Sequence, residues 1–368
     1  MGMKVYVGKD GVAKAVKAIY VGVKGVAQYI MRPPGLYRYN GNIESFDGDV
    51  EGPTATTVGN YALFAGGNGT DPTTGGGKIS DKVYAYNSSL TKTVASSLAK
   101  AKMMTGSTTI GNYAIIAGGR TNYGNTGYSS SVDVYNHNLS KTNASTLTRA
   151  REDIGATSVG KYALFAGGST GGSQVSNLVD AYSSTLTKTN VSALSADRYS
   201  VGATSVGYYA VFGGGGYISS GNVVDSTTVD AYDASLTRTT VTPLRVGKLY
   251  TKAITVGNYA LFGGGDSFDL AVDAYTSNLV RTNAPDFSER RLWYSATTVG
   301  NYGLFAGGDN SGGTVDVYDS SLVRSNTANL SCARKKAGAT TVGNYALIGG
   351  GYHDTVDLAT VDAYNLEL

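Results

Sequence analysis

The chain has 368 residues, 41% hydrophobic and 15% charged, with 51 Gly and only 6 Pro, a foldable globular composition rich in tight turns. One cysteine, Cys332, excludes an intramolecular disulfide framework, and two His residues leave little material for a metal centre. Net charge is +3, yet residues 1 to 35 hold +5 and the remainder −2, which argues against a general nucleic-acid binder.

In chain order, the first elements form a short duplication. KVYVGKDGVAKAV and KAIYVGVKGVAQYI, within residues 4 to 30, each read as strand, Gly turn, strand, before the stiff boundary Met31-Arg-Pro-Pro-Gly35. Two hairpins of this size hold too little core to stand alone, so residues 1–35 are expected to be a small β attachment domain that packs on something else. Lys14, Lys17 and Lys24 interrupt every apolar run before it reaches signal-peptide length. No stretch approaches the ~20 apolar residues of a membrane helix. A soluble protein made in the cytoplasm without Sec export is therefore expected, with no membrane insertion. The pattern I/V-Y-V-G-x-x-G-V-A resembles the N-terminal attachment segment of bacteriophage and prophage structural proteins of Gram-positive bacteria, and the resemblance implies a place on a particle. A solvated basic arm or an extra sheet edge is the other reading.

From residue 36 onward one unit recurs seven times. Its signature is TVGNYALFAGG, first seen at Thr57 to Gly67, and its motif glycines are Gly59, Gly111, Gly160, Gly207, Gly257, Gly300 and Gly343, 43 to 52 residues apart. That period suits propeller blades. Within each unit an apolar/Thr strand, a Gly-Asn turn, the YALFAGG strand, a loop, a VDAY strand, a short turn and an LTKT strand follow in order. Each unit therefore predicts a four-stranded antiparallel meander. Three of the four spacings within the unit are constant, and all length variation falls between the second and third strands. One face is expected to hold fixed tight turns, and the opposite face every variable loop.

The paired glycines, the strand-three Tyr and the basic residue before strand one resemble the kelch repeat family across residues 36–368. The resemblance implies a seven-bladed kelch-like β-propeller. It departs at the fourth strand, where kelch repeats usually carry Trp and this chain has Leu90, Leu139, Leu186, Leu236, Leu279 and Leu322. The VDAY Asp has a basic residue eight positions on: Asp133 with Lys141, Asp180 with Lys188, Asp230 with Arg238, Asp273 with Arg281 and Asp316 with Arg324. Across a short hairpin these pairs are expected to face each other. Asp362 has none within the chain, so Leu36-Tyr37-Arg38 is expected to complete blade seven, with Arg38 opposite Asp362. Such a closure leaves no raw sheet edge.

Candidate chemistry clusters before strand one of each blade. Lys102, Arg151, Arg198, Lys248, Arg291 and Arg334 all lie nine residues before the motif Gly, with Val50 breaking the series in blade one. Two roles stand open: a ring of cations attracting an anionic ligand at the loop-side mouth, or a structural role hydrogen-bonding the backbone of the neighbouring blade, as the corresponding Arg does in kelch folds. Two residues further on, Met104, Asp153, Ser200, Tyr250, Trp293 and Lys336 share nothing, so this position is free of scaffold demands. Tyr250 and Trp293 suit sugar stacking or a protein anchor. The 2-3 loops add Tyr123, Tyr128, Tyr217, Phe268, Tyr352, His353 and Asp354. Fourteen tyrosines at repeated positions read as packing between blades with their hydroxyls satisfied. His137 and His353 fall on opposite faces, Cys332 has no His beside it, and no Gly-Gly pair leads into a phosphate-binding helix. No catalytic residue, metal site or cofactor is therefore expected.

Together these features predict a non-catalytic binding module of a phage or phage-derived particle, a tail fibre, baseplate or surface protein. Residues 1–35 would dock it to a particle protein, and its loop face would bind a host-surface glycan or a neighbouring protein. A stand-alone bacterial carbohydrate- or protein-binding propeller is the alternative, with a sugar-acting enzyme third.

Overall fold

The computed structural model describes residues 19–23, 26–31, 35–70, 74, 76–124, 126–172, 174–266, 269–309 and 312–367. Among them all regular structure is β, arranged as seven four-stranded antiparallel sheets in a ring, a seven-bladed β-propeller. Blade 2 is representative, with strands Gly106–Ile110, Tyr113–Ala117, Val132–Asn136 and Lys141–Asn143 in spatial order. The first strand of each blade is innermost. These inner strands touch their neighbours all round, and Gly338–Val342 meets Thr54–Val58 to close the circle.

The repeated signature forms the first hairpin. In blade 1 Val58 pairs with Tyr61 across a two-residue turn, and Gly59 stands there at φ +53°, left-handed backbone that suits glycine. A Cβ on Gly59 would also sit 2.8 Å from Cβ of His137 in the next blade. Strand two is buried along its length because alternate residues face different neighbours: Leu63 joins the cluster with blade 2, and Phe64 the cluster with blade 7. The core is thus divided into clusters lying between successive blades, and no blade covers its own apolar faces.

Tyrosines clamp these interfaces. Tyr86, Tyr135, Tyr182, Tyr232, Tyr275, Tyr318 and Tyr364 are all fully buried. Each donates its hydroxyl to a carbonyl of the connection leading into its blade, as Tyr135 does to Ser96 at 2.7 Å and Tyr364 to Ala328 at 2.9 Å. The packing role read from their repetition is what they perform.

Ring closure follows the predicted strand exchange. Gly35–Arg38 pairs antiparallel with Val361–Glu367 as the outer strand of blade 7. Its register, Arg38 beside Tyr364, matches that of Lys141 beside Tyr135 in blade 2. The predicted charge contact does not form. Arg38 donates to the Asn329 carbonyl at 3.0 Å, while Asp362 is taken by Arg334 at 2.6 Å and by Ser331.

The other hairpin pairs also need correction. Register sets each basic residue opposite the strand-three Tyr, so Asp and Lys or Arg lie diagonally, a separation that long side chains span. Lys141, Lys188, Arg238 and Arg324 reach their Asp at 2.8 to 3.0 Å. Asp273 is held instead by Arg245 at 3.1 Å, and Arg281 donates to the Pro243 carbonyl.

Upstream of the ring, Ile19–Val23 pairs antiparallel with Val26–Met31, the hairpin expected of the second duplicate. The first duplicate lies outside the described residues.

Candidate functional site

The variable loops and the connections between blades share one face, as the spacing predicted. After five of the six repeated cations the next residue pairs with the residue following the Gly-Gly of the same blade, for example Met103 with Arg120 and Lys335 with Tyr352. Blades 1, 3, 4 and 7 extend their 2-3 loops into small hairpins.

The six repeated cations are not exposed to ligand. Lys102, Arg151, Arg198, Lys248, Arg291 and Arg334 are at most 3% exposed. Five pair with the strand-three Asp of their own blade: Asp133, Asp180, Asp230, Asp316 and Asp362, at 2.6 to 3.0 Å. Lys248 donates to the Ala271 carbonyl at 2.7 Å. Their burial fits the structural role, but the partners differ from the expected backbone of a neighbouring blade: they are the Asp and carbonyls of the same blade, such as Phe165 for Arg151 and Gly307 for Arg291. Burial alone would push Asp133, Asp180 and Asp316 up, but the adjacent buried cation and its accompanying donors hold them below the ordinary carboxylate value. In blade 1 both halves of the pair are replaced. Val50 takes the cation's place and Tyr84 the aspartate's, with Phe46 stacked on Tyr84 at 4.6 Å between centroids.

Two residues beyond the cations lies the axial mouth. Met104, Asp153, Ser200, Tyr250, Trp293 and Lys336 all have left-handed backbone, φ +52° to +57°, and Gly52 is their counterpart in blade 1 at +62°. Backbone hydrogen bonds run between them from blade to blade: Gly52 to Lys336, Lys336 to Trp293, Ser200 to Asp153 and Asp153 to Met104, at 2.6 to 3.0 Å. The scaffold therefore does make a demand here, on the backbone, and leaves the side chain open. A Cβ at Gly52 would meet nothing within 4 Å.

Around this ring one arc is joined by side chains. Lys336 ion-pairs with Glu51 and lies 4.8 Å from the Trp293 ring centroid. Trp293 meets Tyr250 edge-on at 6.2 Å. Lys335, paired with Asp309 at 3.0 Å, approaches both Trp293 and Tyr352. The opposite arc is acidic. Glu152 is buried, 3.2 Å from Arg120, and its carboxyl is pushed up to about 7, chiefly by burial and then by Asp153. Arg120 also reaches the Met104 sulfur at 3.8 Å. Asp153 is raised by enclosure against the pull of Lys252, Arg120, Ser200 and Lys336.

Lys252 was missed by the sequence reasoning, although a signal existed. The inner strands of the other blades begin with Thr54, Gly106, Gly155, Gly202, Ser295 and Gly338, all small, and only blade 5 places a lysine there. Glu51, Glu152, Arg120 and Lys335 matter through neighbours that no spacing rule reveals.

The remaining candidates lie apart. Tyr217, 38% exposed, lines an open groove of about 950 Å³ between blades 3 and 4 with Arg149, Gln174, Asp197 and Asp225. Tyr123 donates to Asn68 of blade 1, His353 approaches Asp354 at 3.4 Å, and Tyr128 lies beside Gly171 of blade 3. Phe268 is outside the described residues. His137 lines a concavity on the opposite face, beside Gly59 and Asn87. Among the described residues no cluster of three or more His, Cys, Asp or Glu is placed to hold a metal ion.

No protein-family model matches the chain, and no curated protein matches it either. What fold and site define is a β-propeller with one plain face, one face of blade-specific loops and a chemically mixed axial mouth.

Proposed function

We propose that this propeller, kelch-like in its repeat, is a non-catalytic binding module of a phage or phage-derived particle, presenting its loop face to a host-surface glycan or a neighbouring particle protein. The observation that supports this most is the opposition of anchor and loops. Third strands run from the loop face to the plain face, so the antiparallel strand Gly35–Arg38 starts at the plain face. The attachment segment thus leads into the ring on the side away from every variable loop. A module built this way holds a particle with one face and offers the other outward.

Function of this kind needs diversity on the presented face and constancy elsewhere, which the repeat supplies. Because blade 7 is complete from Gly35 onward, the propeller does not need residues 1–34 for closure, and this favours the stand-alone binding propeller as the second reading. Removing residues 1–34 separates the two. Under the particle reading the shortened protein stays folded and monomeric but no longer co-purifies with particles. Unchanged incorporation into particles would defeat it.

A further inference from the structure

We infer that the axial mouth is a binding site for a carboxylate-bearing sugar, with Lys252 receiving the carboxylate, Asp153 the hydroxyls, and Tyr250 with Trp293 the apolar face of the ring. The inference rests on the loop face being the recognition face, and not on attachment to a particle.

Lys252 carries the argument. It stands at the start of an inner strand, where the other blades have Gly, Ser or Thr. Its side chain is exposed at the mouth, and the protein around it holds the ammonium below its ordinary value against the attraction of Asp153. Among the described residues that ammonium has no ion pair and no hydrogen bond, and Asp153 has no ion-pair partner either. Lys252 and Asp153 are opposite charges at one mouth left without direct contact, so a ligand can bridge them. A sugar acid does so, because its carboxylate satisfies an ammonium while its hydroxyls donate to a carboxylate.

The backbone gives an independent reason. A left-handed position costs an ordinary residue about 1 kcal/mol relative to glycine, and blade 1 uses glycine at the same place. The αL leucines of the 3-4 turns are explained by packing: Leu90, for example, is buried in an interblade cluster. At the mouth the six residues differ in every copy, so shared packing does not account for them. Strain retained for side chains of unlike chemistry points to a ligand. Tyr250 and Trp293 add an aromatic surface of the kind that lies against the C–H face of a sugar, and the Tyr294 hydroxyl fixes the backbone of Lys252 at 2.8 Å.

The chain's single tryptophan is in this site, so intrinsic fluorescence of the full-length protein reads occupancy directly. Titration with glucuronate and galacturonate oligosaccharides is expected to give saturable quenching, with glucose and galactose oligosaccharides and inorganic phosphate much weaker. Lys252→Met should weaken binding roughly tenfold or more, Lys252→Arg should restore it, and Asp153→Asn should weaken it at unchanged melting temperature. Equal quenching by neutral sugars or by phosphate overturns the assignment, as does Lys252→Met binding like wild type. If no uronate quenches while the protein still binds host cells in a pull-down, this inference fails and the broader loop-face reading survives.

Discussion

Glu152 is the residue whose titration is most readily seen. Its carboxyl sits at about 7 in the folded protein against 4.5 in an unperturbed one, so around neutrality the folded state holds a proton that the unfolded chain has released. Stability from this group is complete below about pH 4.5 and is lost as pH rises through 7, a difference on the order of 3 kcal/mol. Glu152→Gln removes the titration and should flatten the decline between about pH 5 and pH 8. Chemical denaturation across that range checks it, and identical slopes in the two proteins would refute the assignment. Asp133, Asp180 and Asp316 act in the opposite direction. Their depressed values give stability that is present above the ordinary carboxylate pKa and lost as pH falls below it.

At the scale of elements, the buried ion pair ties the incoming connection to the third strand in blades 2, 3, 4, 6 and 7. The carboxylate also accepts the backbone N–H three residues before the cation, from Ala99 to Asp133 through Ser331 to Asp362. Blade 1 answers the same geometric problem without charge: Phe46 stacks on Tyr84, and Lys92, deprived of an aspartate partner, pairs with Glu44 and Asp47. Breaking a buried pair strands a charge, whereas replacing both members with packed apolar groups is often neutral. Arg198→Val alone should therefore cost about 3 to 5 kcal/mol. Adding Asp230→Tyr and Leu194→Phe, which copies blade 1 into blade 4, should recover most of it. Urea denaturation measures both, and a triple variant no more stable than the single one would show that the blades are not interchangeable in this respect.

For the whole molecule the decisive element is four residues long. Removing residues 1–38 uncovers the edge of Val361–Glu367, and an unpaired edge invites association; the protein should aggregate and melt lower, while removal of residues 1–34 should leave a monomer with near-native melting. Light scattering with thermal melts decides this, and equal behaviour of the two truncations would mean that the strand is dispensable. Much of this architecture was legible in the chain because it is periodic. Seven copies of one hairpin, constant offsets from Tyr86 to Leu90 and from Leu90 to Gly111, and the L-x-R form of Leu36 to Arg38 all report local geometry that repeats, and local geometry follows from near neighbours in sequence. Partners across blades were not legible. The spacing of eight that joined Asp133 to Lys141 was right in kind, but Asp133, Asp180, Asp230, Asp316 and Asp362 each have a buried cation from a connection about 30 residues away as a further partner, and Arg38 does not reach Asp362. The mouth was half visible. Its variability marked Tyr250 and Trp293, whereas the left-handed backbone beneath them and the nearness of Lys252 to Asp153 arise only when seven blades converge on one axis and bring together residues a hundred positions apart.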